Sequence, residues 1–441
     1  WWRMMLNIEE IQNKVFKKIQ EISNKKKIIH NNLYFCAFNF SIGYALLKFF
    51  KEKNFLLIFK IFFKEILNII LMNNYELKNK IDKKYKKIIV TWGNESNIKK
   101  NFYYDKYFNQ KSIDTKEILW IVIFTGNQKK INQIETQNVL FIIERKISLV
   151  KKIIFLLKLI FSYIFKEKYS LVNFLFYFTW HNAFKLKIRK LFLKVIHDDL
   201  ELLILPYEGQ PFQLDLLEMT KSLPKILTKG YIHSVPSYPS HLIYKKNYPK
   251  ELIVSSQDQF NFLKKRFLPN NYKIHLLESA RFRKSDPSVM NNRIFLPIEF
   301  FSEIKILNEM KFLFLNEFNN LDLSKFRVKN HPACANSTKH LKLIYKIESL
   351  RDRLNIKNDV NTFNKSIFIG STGSIIEALE LDIEVYHITE DPILESYSEF
   401  IWNNLKVSNY NENTYKYVLK EKNYSMIFGK DKNIFNEYTN K

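Results

Sequence analysis

A chain of 441 residues has room for two or three domains with proper cores. Its hydrophobic content of 46%, with only 8 Gly and 11 Pro, excludes the disordered and fibrous classes. The formal charge of +26 is carried mostly by lysine set among Asn, Ile, Phe and Tyr; nucleic-acid readers favour Arg for bidentate contacts, so this charge suits an anionic membrane surface better than a specific nucleic acid.

The start, Trp1-Trp2-Arg3-Met4-Met5, is not the basic region followed by an apolar run that marks a secretory signal. No uninterrupted apolar stretch reaches the ~20 residues of a membrane span. Two cysteines, Cys36 and Cys334, are too few for a disulfide framework, and no C-x-x-C pair exists, which fits a reducing, cytoplasmic setting. Residues 1–84 read as a helical N-terminal segment: 8–25 alternates apolar and charged residues at helix spacing, 33–50 is apolar, and 55–72 carries Lys60 and Lys64 on one face with Phe, Ile and Leu on the other. Such helices fit two places, the outer layer of the first domain or the membrane interface.

Residues 85–245 read as a first Rossmann-like domain. Apolar runs at 88–93, 118–124, 139–143 and 202–205 are strands, alternating with helical segments. Trp92, Tyr103, Tyr104 and Asp105 suit either a sugar-stacking acceptor site or aromatic packing. Residues 148–194 form a basic amphipathic insertion, predicted to touch the membrane surface through its lysines and apolar faces, with core packing of two long helices as the other reading. The strand at 202–205 ends in Pro206-Tyr207-Glu208-Gly209-Gln210-Pro211, a short stiff loop that holds a carboxylate. Glu208 is the leading candidate for a general base or a nucleophile, with Asp198 and Asp199 behind it; its other reading is a favourable charge at the N-terminus of a helix over 212–222.

A strand at 226–232 leads into His233-Ser234-Val235-Pro236, a cleft loop or inter-domain connection. Residues 246–390 are expected to form a second Rossmann-like domain, opening with strands at 252–256 and 274–277 and continuing at 294–297. Arg281 or Arg283, following a strand, suits either offsetting donor phosphate charge or a solvated surface position. Phe326-Arg327-Val328-Lys329 reads as a strand running into Asn330-His331-Pro332-Ala333, which sets an imidazole at a sheet's carboxyl edge with its backbone restricted by the proline; taken alone, the residue reads as a structural or surface histidine. Ile367-Phe368-Ile369 then leads into Gly370-Ser371-Thr372-Gly373-Ser374, followed by a helix over 375–381 bearing Glu377 and a strand at 383–388. This strand–turn–helix–strand unit offers N–H groups and hydroxyls suited to a phosphate, and a carboxylate suited to ribose hydroxyls; an ordinary capped turn is the plainer reading. Residues 391–441 read as a polar helical tail with Trp402 packing back on a domain.

The pair His331-Pro332 followed by Ser371-Thr372 resembles the His-Pro and Ser/Thr motifs of bacterial CMP-sugar transferases, the sialyltransferases and Kdo transferases. The run Tyr207-Glu208-Gly209-Gln210-Pro211-Phe212, with Thr91-Trp92-Gly93 and His233-Ser234, resembles the surface carbohydrate biosynthesis proteins. The resemblance covers residues 85–390 and implies a GT-B fold, two Rossmann-like domains facing a cleft. The sialyltransferases carry an acidic pair before a glycine where this chain reads Tyr-Glu-Gly. The resemblance further implies a peripheral membrane glycosyltransferase of capsule, O-antigen or lipooligosaccharide assembly. It would take a CMP-linked nonulosonate or Kdo donor and a glycan or lipid-linked glycan acceptor. Glu208 and His331 would be catalytic. His331, Pro332, Gly370, Ser371, Thr372, Gly373, Ser374 and Glu377 would hold the donor. No Asp-x-Asp pair occurs, so neither a metal nor a further cofactor is expected. Three rivals remain: a teichoic-acid-type glycerol- or ribitol-phosphate transferase, a nucleic-acid binder, and a non-catalytic membrane scaffold.

Overall fold

A computed structural model describes residues 55–79, 83–166, 177–223, 225–237, 248–266, 271–355, 364–430 and 434–440. The helices expected at 8–25 and 33–50, and Cys36, lie outside the described residues. The chain is an α/β protein built on two mainly parallel mixed sheets, one of eight strands and one of six, an arrangement consistent with two Rossmann-like domains.

The first sheet runs, in spatial order, Asn74–Lys78, Val139–Arg145, Ile118–Thr125, Lys87–Asn94, Leu202–Pro206, Leu227–Ile232, Glu251–Val254 and Lys273–Leu276. Every pairing is parallel except that of the edge strand Asn74–Lys78. Continuous apolar runs such as I-L-W-I-V-I-F suit strands covered on both faces. Ile121 and Ile123 enter one core, while Trp120 and Val122, facing the other way, enter a second. The strands at 252–254 and 274–276, expected to open the second sheet, instead extend the first: Glu251–Val254 pairs with Leu227–Ile232, and Lys273–Leu276 pairs with Glu251–Val254. An apolar run shows that a strand is buried but not which neighbour it pairs with.

The second sheet runs Arg327–Lys329, Arg293–Phe295, Lys365–Ile369, Glu384–Ile388, Thr414–Leu419 and Leu405–Asn411. Its last two strands form an antiparallel hairpin, which corrects the expectation of a helical tail. Tyr415 and Tyr417 alternate inward along that hairpin, a period of two that the many polar residues obscure. Trp402 is fully buried, and its Nε1 donates to Ser237 O at 3.0 Å. The chain then returns to the first sheet. The helix Ile434–Thr439 puts Ile434, Phe435 and Tyr438 into the core of Trp120 and Phe108, with Phe435 stacked on Trp120 at 5.9 Å.

The basic insertion divides in two. Trp180–Phe192 is capped by Thr179, whose hydroxyl accepts from Asn182 N, and buries Ala183, Phe184, Ile188, Leu191 and Phe192 as core. Leu149–Lys166 packs beside Phe55–Leu71 and keeps a wide apolar face in solvent. Among the described residues no helix is long and apolar enough to cross a membrane.

Candidate functional site

Parallel register decides what meets at the carboxyl edges. Pro206 pairs with Tyr231, so the residues two further along each strand, Glu208 and His233, emerge side by side. Glu208 Oε1 lies 3.2 Å from His233 Nε2. Its Oε2 accepts from Gln210 Nε2 at 2.5 Å. The loop beneath is fastened by one buried amide: Gln213 Oε1 accepts from Glu208 N at 3.0 Å and Gln210 N at 3.1 Å, and its Nε2 donates to Pro206 O at 2.6 Å. Gly209 completes the turn at φ 65°, a conformation that favours glycine. Pro211 begins the helix Pro211–Met219, where its missing N–H costs nothing. The carboxylate is thus aimed and one-third exposed (34%).

His233 is buried, and burial lowers its pKa; Glu208 pulls it up and Arg281 adds to the lowering. A neutral ring facing a carboxylate carries its proton on Nε2 and donates it to Glu208. Tyr107 packs edge-on against His233 at 4.5 Å, and the exposed Arg281 guanidinium lies 5.5 Å over the Tyr107 ring. Burial also drives the Tyr107 phenol upward, with Glu208 adding to the shift. His181 completes this wall; burial lowers its pKa to about 4, against the pull of Glu208.

The second sheet repeats the pattern at its own carboxyl edge. Lys329, Phe295 and Phe368 share a register level, so His331, Pro297 and Gly370 emerge together two residues later. Gly370 has φ 70°, and a Cβ there would stand 2.8 Å from Pro297 Cβ. Its carbonyl is 2.8 Å from His387 Nε2, and its N–H donates to Ile388 O at 2.8 Å. Thr372 Oγ1 accepts from Ser374 N at 3.3 Å. Ser371 is exposed, and Thr372, Gly373 and Ser374 are half-buried. The helix that follows, Ser374–Glu380, has seven residues, and no side chain caps it. Glu377 on this helix has a pKa raised by burial, with Arg281 and Lys329 pulling it down. Arg281 therefore acts on both walls, near His233 on one and Glu377 on the other. His331 is half-buried, and burial, then the neighbouring His340, lowers its pKa. Pro332 is exposed and begins the turn Pro332–Cys334, in which Cys334 N donates to His331 O at 2.8 Å.

The two walls touch through the loop after Ile232. Tyr397 Oη donates to Val235 O at 2.6 Å and to Thr372 O at 3.1 Å. A Cβ on Gly373 would meet Val235 N at 3.5 Å.

Several candidates lie elsewhere. Asp198 and Asp199 stand before the strand Leu202–Pro206, at the edge opposite Glu208, where Asp199 pairs with Lys84 at 3.4 Å. Tyr103 and Asp105 are fully buried, which removes them from any sugar-stacking surface. Asp105 accepts from Thr91 Oγ1 at 2.7 Å, Tyr103 Oη at 2.8 Å, and the N–H groups of Tyr107 and Phe108, each at 2.8 Å. It is the fastening that presents Tyr107. Trp92 stacks on Phe184 at 5.5 Å. Among the described residues no group of three or more His, Cys, Asp or Glu side chains gathers to hold a metal ion. No family model matches the chain, and no curated protein matches it. Sequence reasoning reached Glu208 and the Gly370 turn but not the Glu208–His233 pair or Tyr107. The available signal was two adjacent strands ending in Pro-Tyr-Glu and Tyr-Ile-His, which become neighbours once paired in parallel.

Proposed function

We propose that the protein is a GT-B glycosyltransferase of surface polysaccharide assembly, moving a sugar from a nucleotide-activated donor to a glycan acceptor. The observation that supports this reading is the pairing of Glu208 with a buried neutral His233 on one wall, with Arg281 acting on both His233 and Glu377. Glu208 takes the proton of the acceptor hydroxyl. That oxygen bonds to the anomeric carbon, and the bond from that carbon to the donor phosphate oxygen breaks with its electron pair leaving on the nucleotide. His331 and Arg281 bear the charge that develops on the phosphate, and Glu377 is suited to ribose hydroxyls. His233 is a positioning residue that aims Glu208. The His-Pro and Ser-Thr motifs favour a CMP-linked nonulosonate or Kdo as donor.

A thermal-shift series with CMP, CDP, UDP, GDP and CDP-glycerol tests the reading. Ligand at 100 times its Kd stabilises by about 2.7 kcal/mol. The expected result is a CMP-selective shift that disappears in His331→Ala. A shift with CDP-glycerol in place of CMP turns the assignment to polyol-phosphate transfer, and a shift with UDP or GDP alone discards the CMP donor. If no nucleotide shifts the midpoint and Glu208→Gln leaves the cell's surface glycan intact, the enzyme assignment falls.

A further inference from the structure

Two helices from distant parts of the chain lie side by side on the first sheet's helical layer. Phe55–Leu71 and Leu149–Lys166 pack on each other, and Lys152 Nζ donates to Leu71 O at 2.8 Å. Each turns a row of large apolar side chains outward. On the first, Leu56, Phe59 and Phe63 are 83%, 58% and 67% exposed; on the second, Leu157, Phe161 and Phe165 are 47%, 56% and 80% exposed. Isolated exposed apolar residues are ordinary, but two adjoining rows make a patch of the kind that marks an interaction surface.

The charge around the rows indicates what covers them. Glu65 is the single acidic residue in the two helical sequences, and it turns inward to accept from Trp180 N at 2.8 Å. Lys60, Lys151 and Lys158 are exposed within or beside the apolar rows. Protein–protein interface cores are depleted in lysine. A lysine at a bilayer surface lays its stem along the acyl boundary and keeps its ammonium among the headgroups.

We propose that these two helices form one docking face for an anionic lipid bilayer surface, lying in the interface plane. The face continues onto the second sheet. Lys64 pairs with Glu299 at 3.2 Å, which brings Phe55–Leu71 against the segment 296–301, where Ile298 and Phe301 are 52% and 42% exposed. That segment touches both candidate donor loops: Ile298 O accepts from Cys334 Sγ at 3.3 Å, and Pro297 abuts Gly370. Bilayer contact stands on this geometry alone. That it presents a lipid-linked acceptor to the cleft rests on the proposed transferase reading.

Flotation of the full chain with vesicles tests the inference. The chain is expected to float with phosphatidylcholine vesicles containing about 30% phosphatidylglycerol and weakly with phosphatidylcholine alone. Phe63→Asp with Phe161→Asp abolishes flotation, while Leu341→Asp with Tyr345→Asp, at exposed apolar positions on the helix Thr338–Leu354, leaves it unchanged. Lys60→Ala with Lys158→Ala spares the apolar rows. At roughly fivefold per lysine it weakens anionic binding about 25-fold and leaves the neutral-vesicle signal alone; this pair carries the test if the aspartate pair fails to fold. Absence of flotation with anionic vesicles, or wild-type binding by both patch variants, overturns the proposal. So does a wild-type dimer that ignores vesicles and becomes monomeric in the patch variants, which would assign the face to a second copy of this chain. A failed nucleotide shift would leave these results intact, so the two readings fail separately.

Discussion

Glu208 and His233 show how two ordinary residues acquire a role from their setting. Glu208 stands in a Gly- and Pro-bounded loop, and His233 simply follows a strand. The backbone N–H of Glu208 is pinned by Gln213, and one of its oxygens is taken by Gln210, leaving the other to His233. Glu208→Gln keeps the backbone hydrogen bond to Gln213; under the proposed transferase reading it removes the proton acceptor, so kcat is expected to fall by about 10²–10⁴ with little change in KM for the donor. His233→Ala releases the carboxylate without removing it. A smaller loss of kcat is expected, partly restored in His233→Gln, whose amide nitrogen takes the place of Nε2 and donates to Glu208. Steady-state kinetics of the three variants check this. A His233→Ala enzyme as impaired as Glu208→Gln would make the histidine the base instead.

At the scale of the element, the turn 370–374 is held from behind by the strand Glu384–Ile388. His387 is fully buried between Gly370 O, 2.8 Å from Nε2, and the Tyr417 hydroxyl, 2.9 Å from Nδ1. Burial lowers its pKa from 6.5 to about 4. The unfolded chain therefore binds the proton more readily than the native one between those values. The contribution of His387 is fully present above pH 6.5 and is lost as pH falls toward 4, amounting to about 3 kcal/mol. Carboxyls raised by burial, such as Glu377, act in the opposite sense, so the wild-type curve alone does not isolate the histidine. Urea unfolding of wild type and His387→Gln at about pH 7.5 and about pH 4.5 does, and an identical pH dependence in the two would exclude the role. The strands themselves were legible, because central parallel strands are near-continuous apolar runs. Their sheet membership was not: Leu252-Ile253-Val254 reads the same in either sheet, and only pairing assigns it. The 370–374 turn and the Glu208 loop were legible from Gly and Pro placement, whereas Tyr107 and His233 became site residues only through Asp105 and strand register. The hairpin Leu405–Leu419 was hidden because its inward residues, among them Thr414, Tyr415 and Tyr417, include few aliphatic ones and are set among Lys, Ser and Asn.

The molecule as a whole is two sheets latched together by their connections. Tyr397 shares one hydroxyl proton between Val235 O on the first side and Thr372 O on the second. Trp402 holds Ser237 O, and buried Asp258 accepts from Asn404 N at 3.1 Å and Ser425 Oγ at 2.7 Å. Tyr397→Phe leaves two carbonyls without that donor and keeps the ring in place. A loss of about 1–3 kcal/mol is expected, read as a lowered urea midpoint together with faster proteolysis at the 233–237 loop. Unchanged stability and cleavage would show that the latch lies with Trp402 and Asp258.

The return of the last helix to the first sheet has a consequence for how the protein is made. Ile434, Phe435 and Tyr438 complete the packing around Trp120 and Phe108. While it is being synthesised, the amino-terminal sheet must therefore wait through the whole of the second one with aromatic surface open to water, until residues 434–439 emerge from the ribosome. A chain cut just before Ile434 would keep every strand of the second sheet, yet it would leave the first one unfinished.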